Sequence, residues 1–329
     1  MIARGLLSIC TRFCALALAL GPGLAACVAA AEFPEKPVRF VVPFPPGGGN
    51  DLVARALAEG MARDLGQPVI VDNRAGAGTV IGTEYAATRP PDGYTILLAS
   101  VSFSVNPSLL PSLPYDPIKS FAPILLLGTY PNVVVVPPDR PFKTMAELLA
   151  YARANPGKLN YGSFGNGTSP HLSAELFKLL ARVDITHIPY KGAAPALTDL
   201  LGDRLDVVFS TASSAGTYVR GGRLRALAVT SATRAAAYPD LPTVAEAGVP
   251  GYESVAWYGI LAPAGTPPDI VARLRSAITI AAKAESFRKR SAEDGLEIGI
   301  GSGEALTKLI VTEIERWRRV VREANIKPD

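Results

Sequence analysis

Apolar, β-branched runs alternate along this chain with stretches in which apolar residues recur every three to four positions. The runs predict strands over 38–44, 69–71, 94–99, 124–127, 133–136, 159–161, 185–188, 207–209 and 224–230. The helical spacing predicts helices over 51–65, 80–87, 145–154, 169–181, 193–201, 268–282 and 303–324. In the first helix Val53, Leu57, Met61 and Leu65 mark one face, and Gly66 supplies the stop. This alternation argues for an α/β chain with largely parallel sheets. Two proline-rich stretches, 106–123 and 239–250, interrupt it, each followed by an apolar strand-like segment. Two such crossings predict two α/β domains joined by two connections, with the C-terminus returning to the first. The expected domains are 32–131 plus 253–329, and 132–252. Ligands of proteins so built sit in the cleft between domains.

The first thirty-one residues follow a different pattern. Arg4 and Arg12 carry positive charge, Phe13 to Leu20 is apolar, and Gly21-Pro22-Gly23 breaks the run before small residues up to Ala31. This is the pattern of a secretory signal peptide, which predicts a periplasmic protein beginning at Glu32. Leu24-Ala25-Ala26-Cys27 offers a second processing site, with Cys27 lipidated. All three cysteines (Cys10, Cys14 and Cys27) lie in this leader, so a chain starting at Glu32 has neither a disulfide nor a thiol nucleophile. At nearly three hundred residues such a chain can be held by its core alone. Removing Arg4 and Arg12 takes 33 basic residues to 31 against 29 acidic, so +4 becomes +2. Arg316, Arg318, Arg319 and Arg322 are interleaved with Glu313, Glu315 and Glu323, the pattern of a solvated helix face, and nucleic-acid binding is not expected.

Candidate chemistry concentrates in loops that open onto helices. In Pro43-Phe44-Pro45-Pro46-Gly47-Gly48-Gly49-Asn50-Asp51, prolines stiffen the approach and three glycines bare the backbone. Asn50 or Asp51 is the expected N-cap, and amides of the first turn would meet a carboxylate or phosphate. Asn73-Arg74-Ala75-Gly76-Ala77-Gly78-Thr79 reads as a second helix entry facing the cleft, with Thr79 offering a hydroxyl. The competing reading is close helix–sheet packing by Gly78 and Gly82. Its G-x-G-x-x-x-G spacing is a loose dinucleotide fingerprint, weakened by the four residues between strand and first glycine. A third loop, Tyr161 to His171, carries Ser163, Thr168 and Ser169, with Ser169 the expected cap and Pro170 at the first helical position. Tyr190 and Lys191 stand at a fourth strand-to-helix corner, either closing over an anion or packing there with the lysine reaching to solvent.

Catalytic patterns are missing. A serine nucleophile elbow needs G-x-S-x-G, and Tyr161 occupies the place of the first glycine before Ser163. The two histidines, His171 and His187, read as structural or cleft-edge residues. No P-loop, zinc or calcium spacing is present, and no metal or cofactor is expected.

Taken in order, the motifs resemble the Bug-type extracytoplasmic solute receptors, the substrate-binding proteins of tripartite tricarboxylate transporters. The residues that carry the resemblance are the 43–51 and 73–78 loops, Pro91-Asp92-Gly93-Tyr94-Thr95, Leu113-Pro114-Tyr115-Asp116-Pro117, Tyr161-Gly162-Ser163, Gly165-Asn166-Gly167-Thr168, His171-Leu172, Pro189-Tyr190-Lys191-Gly192, and 239–248. The resemblance implies a type II periplasmic-binding-protein fold that closes on its ligand. It also implies one ligand carboxylate held by amides of the first loop, often through water, and the distal end gripped from the second domain. On this basis Pro46, Gly47, Gly48, Gly49, Asn50 and Asp51 are expected to frame the proximal carboxylate. Thr79, Ser102, Ser163, Asn166, Thr168 and Ser210 are expected to tune the distal half. Two positions depart from the family pattern. Thr79 stands where many members have glycine, and Ser210 stands where many have an acid, which weakens a case for amino-acid ligands.

The resulting expectation is a monomeric periplasmic receptor that captures a small organic carboxylate and delivers it to membrane subunits of a tripartite tricarboxylate-type transporter. The alternatives are a ligand sensor feeding a membrane sensor kinase, and an exported serine hydrolase using Ser163 and a histidine.

Overall fold

Strand β1 (Val38–Val42) pairs in parallel on both edges, with β2 (Val69–Asn73) and β3 (Thr95–Ala99). This is the buried centre of the N-terminal layer, which is why β1 is nearly all Val and Phe. The computed structural model describes residues 33–293 and 295–327, so the whole leader, including Cys27, lies outside the described residues. Residues from Lys36 onward form one unit.

The longest strand, β4 (Phe121–Val136), connects two sets of strands. Its first part pairs with β9 (Val255–Pro263) and β10 (Glu297–Ser302), both antiparallel. Beyond Pro131 it pairs with β7 (Val207–Thr211) and β8 (Arg225–Val229), again antiparallel. Strands β5 (Asn160–Ser163) and β6 (Thr186–Pro189) continue from β7 in parallel, giving the order β2-β1-β3-β9-β4-β7-β5-β6. The sheet is therefore mixed, not largely parallel. The α/β alternation holds toward each outer edge, but β4 and β9 run antiparallel through the middle. The strands expected separately over 124–127 and 133–136 are one strand. Pro131 lacks an N–H, and it stands where the partner changes from β9 to β7.

A buried polar knot ties the two chain crossings at that point. Thr230 Oγ1 accepts from the Asn132 amide at 2.7 Å and donates to the Ser254 carbonyl at 2.7 Å. The Asn132 side chain donates to Ser173 Oγ at 2.8 Å, and Ser173 and Ser254 share a 2.8 Å hydroxyl bond. All four residues are buried.

Helices α1 (Gly49–Leu65), α2 (Val80–Ala87) and α3 (Val101–Leu109) follow β1, the turn after β2, and β3. On α1 the predicted stripe is buried, with Leu57 and Met61 fully enclosed, and Gly66 ends the helix in the left-handed region. Helices α4 (Met145–Ala154), α5 (Ser169–Ala181), α6 (Ala193–Leu201) and α7 (Ala212–Arg220) surround the second set of strands. Helices α8 (Pro268–Lys283), α9 (Glu285–Glu293) and α10 (Gly303–Glu323) return to the first set. The core has one cluster around Phe103, Phe121, Trp257 and Leu306, and another around Val133, Leu197, Val208 and Leu224. Among the described residues no helix is long and apolar enough to cross a membrane.

Candidate functional site

Four loops meet around a cavity of about 430 Å³, bordered by Pro43–Pro45, Ala75–Thr79, Phe164–Asn166 with Thr168, and Tyr190–Gly192. A second cavity of about 70 Å³ shares Phe44, Pro45, Phe164, Lys191 and Gly192 with the first. It extends toward the first turns of α1, α6 and α7. Each loop leaves a strand and enters a helix, so N–H groups without a helical partner collect on this side. The loops touch one another directly. Gly192 lies against Pro45, and Ser102 Oγ donates to the Gly167 carbonyl at 2.9 Å.

The first loop is held from behind by Asp51. Its buried carboxylate accepts from the Gly47 amide, Arg55 Nε and Asn73 Nδ2, each at 2.9 Å. Asn73 also donates to the Phe44 carbonyl at 3.2 Å. Burial works against ionisation of Asp51, but these three donors outweigh it and hold the carboxyl below its ordinary value. Gly49 faces Ser213 of α7 so closely that any Cβ there would strike the serine.

The second loop is anchored by Arg74, whose guanidinium meets Asp72 at 2.8 Å and lies over the Tyr85 ring. Gly76 and Gly78 take positive φ in this loop. Gly82 does the packing work: a Cβ there would come within 2.6 Å of the Arg74 carbonyl and 2.8 Å of Pro43. Close packing therefore explains Gly82, while Gly78 borders the cavity.

Behind the third loop stands a column of stacked rings. Tyr161 lies 4.7 Å from His187, and His187 lies 4.2 Å from His171. His171 Nδ1 accepts the Gly167 amide at 3.0 Å, so this nitrogen carries no proton. His187 Nε2 meets Ser163 Oγ at 2.7 Å, and Ser163 Oγ also accepts from the Gly165 amide at 3.3 Å. Burial pushes the His171 imidazole down to about 4, with Lys178 adding to the effect. Burial also depresses His187, followed by repulsion from His171. The Glu175 carboxylate is taken by the Tyr161 hydroxyl and by Lys178 at 2.7 Å.

The expected site residues divide into two groups. Thr79, Asn166 and Thr168 line the larger cavity, and Pro46, Gly48, Gly49 and Asn50 line the smaller. The other five stand back from both. Gly47 gives its amide to Asp51, and Asp51 is the clamp, not a wall. Ser102 and Ser163 spend their hydroxyls on Gly167 and His187, and Ser210 donates to the Thr211 carbonyl at 3.0 Å. Ser163 and Ser210 are fully buried. Two caps also shift. Helix α1 is capped by Gly48, with Asn50 and Asp51 already helical, and α5 is capped by Thr168, with Ser169 helical. Phe164, Thr211 and Ser214 border the cavities without having been expected there. A strand followed immediately by a hydroxyl-rich helix start at 211–214 was the available signal.

Among the described residues Lys191 is the sole charged side chain bordering either of the two cavities. It is exposed at the N-terminal corner of α6.

Strand-to-helix loops gathered around a cavity place the chain with the solute-binding proteins of the periplasmic α/β type. Residues 53–326 match the sequence profile described as tripartite tricarboxylate transporter family receptor, and the chain belongs to that family. Protein BugT of Bordetella pertussis is 39% identical over 307 residues, covering 93% of this chain and 94% of BugT. The periplasmic binding protein BugD superposes with a TM-score of 0.85 at 36% identity, over 90% of this chain and 100% of BugD. Rpa4515 of R. palustris, solved with adipate, gives 0.86 at 37% identity, over 91% and 100%. MatC of Rhodopseudomonas palustris, solved with bound malate, gives 0.82 at 34% identity, over 88% and 100%.

Proposed function

We propose that this chain is a periplasmic receptor that captures a small organic carboxylate in the 430 Å³ cavity and delivers it to the membrane subunits of a tripartite tricarboxylate-type transporter. The carrying observation is electrostatic. Among the described residues the walls present helix-entry amides and one cation, Lys191, and no acidic side chain. Partial positive charge at helix N-termini favours a bound anion, and an ammonium beside it adds to the attraction. Adipate in Rpa4515 and malate in MatC support the class of ligand. Residues 32–131 with 253–329 form one lobe in this reading, and 132–252 the other. They move about the crossings at Asn132 and Ser254, and ligand selects the closed arrangement. The leader exports the chain, which acts as a monomer without cofactor or catalysis.

The test is a thermal-shift panel of small carboxylates and their amides on the mature chain. A ligand at a hundred times its Kd adds roughly 2.7 kcal/mol, a rise of several degrees for a chain this long. Acids should shift Tm and the matching amides should not. Lys191→Met should weaken the best acid about five- to thirty-fold, the equivalent of roughly 1–2 kcal/mol. Equal shifts with acids and amides would refute the electrostatic reading.

A further inference from the structure

The cavity walls carry more carbon than an anion alone requires. Phe44 and Phe164 border both cavities, Pro43, Pro45, Ala75 and Ala77 border the larger, and Tyr190 stands beside Lys191. Both phenylalanines are half-buried, and among the described residues neither ring stacks on another protein ring. Phe164 and Tyr190 lean on the core cluster of Leu197 and Val208, which fixes the position of the wall they form. The Tyr190 hydroxyl is turned away to Asp199 at 2.7 Å, so its ring, not its oxygen, belongs to the wall. Several polar groups nearest the cavity are also committed elsewhere. The Gly165 and Gly167 amides go to Ser163 and His171, and the Thr168 hydroxyl goes to the Gly165 carbonyl at 2.6 Å.

Resting on the carboxylate-receptor reading, the geometry points to a ligand of a particular kind: an aryl carboxylate, its charge at the Lys191–Gly192 corner and its ring between Phe44 and Phe164. Such a ligand buries carbon against carbon and gains the offset or edge contacts that paired rings prefer. A compact hydroxylated polyanion fits these walls poorly. The unpaired Asn50 and Asn166 side-chain oxygens could accept from a hydroxyl but not from a carboxylate, so further carboxylates would be desolvated against Phe and Pro, which is costly for ionised groups. Small-molecule sites of this size commonly combine an apolar lining with a few polar groups that orient the ligand.

The test is calorimetric titration of the mature chain with benzoate, phenylacetate and 3-phenylpropanoate, against malate, citrate and benzamide. At least one aryl acid should bind ten-fold or more tightly than malate and citrate. Phe164→Ala should weaken that acid about ten-fold while leaving malate within two-fold. Phe164→Leu, which keeps the bulk and preserves the wall, should recover part of the loss, and circular dichroism confirms that both variants fold. Malate or citrate binding more tightly than every aryl acid, or no aryl acid binding at millimolar concentration, would overturn the inference and leave the carboxylate reading standing. Benzamide binding as tightly as benzoate would instead remove the carboxylate reading.

Discussion

Replacing Asp51 by alanine should loosen the first loop without touching any wall of the cavity. Its carboxylate accepts three hydrogen bonds from three separate elements: the Gly47 amide, Arg55 of α1 and Asn73 at the end of β2. A buried group left without its partner costs about 1–3 kcal/mol. The three losses are unequal. Gly47 is exposed and water can replace the bond, while Asn73 keeps its contact to the Phe44 carbonyl. The Arg55 side chain is half-exposed, so its share of the ion pair is screened and worth little. The sum is about 2–3 kcal/mol, or roughly 4–6 °C in Tm for a chain of this length. Urea denaturation of wild type and Asp51→Ala measures it, with Arg55→Met as the control expected to cost under about 1 kcal/mol. The difference has a pH signature. Because the folded carboxyl sits below its ordinary value, its contribution is present above about 3.8 and fades as pH falls through the lower folded value. An Asp51→Ala chain within about 0.5 kcal/mol of wild type at pH 7 would show that the clamp is incidental.

Acid should destabilise the fold before its carboxylates titrate. The buried imidazole of His171 sits near 4 against about 6.5 unfolded, so stability present above 6.5 is lost as pH falls toward 4. Between pH 7 and 5 the loss should be about 2 kcal/mol from this residue, and His171→Asn, which keeps an acceptor for Gly167 but does not titrate, should remove that share of the slope in denaturation curves and leave the share of the likewise depressed His187. At the crossing, Thr230→Val strands the Asn132 amide and the Ser254 carbonyl in a buried position, and should cost about 2–4 kcal/mol in urea denaturation; an unchanged midpoint would mean the two groups find other partners.

The legible parts of the fold were those where one period dominated. The stripe at Val53, Leu57, Met61 and Leu65 and the stop at Gly66 gave α1 to within two residues. Where periods mixed, the reading failed. Val101, Phe103 and Val105 recur every second position, as in a strand, and Pro107 follows them, so α3 is not predicted and its last four residues fall in the proline-rich stretch 106–123. The first six residues of helix α7 are Ala, Ser, Gly and Thr, and α9 has one buried apolar residue, Phe287, so neither presents a stripe. The cross-chain pairing of β4 with β9 joins residues more than a hundred positions apart, and no local pattern encodes it.

The site followed the same division. Loops were recognisable from their glycines and prolines, but side-chain roles within them were not. Serine and aspartate seemed the natural ligands, yet Asp51, Ser102 and Ser163 all bond to other parts of the protein. A polar side chain beside a crowded backbone turn often finds a protein partner first, because leaving a buried donor unmet is expensive. What is left at the surface of the cavity is then whatever the protein had no internal use for: glycine backbone at 76, 78 and 192, the rings of Phe44 and Phe164, the unpaired Asn166 side-chain oxygen, and the Lys191 ammonium. On the proposed reading, the loops share a common anion-binding backbone, and discrimination among carboxylates rests with these few side chains. Substitutions there should change which acid binds, whereas substitutions at Asp51 or Ser163 should change how firmly the loops are held.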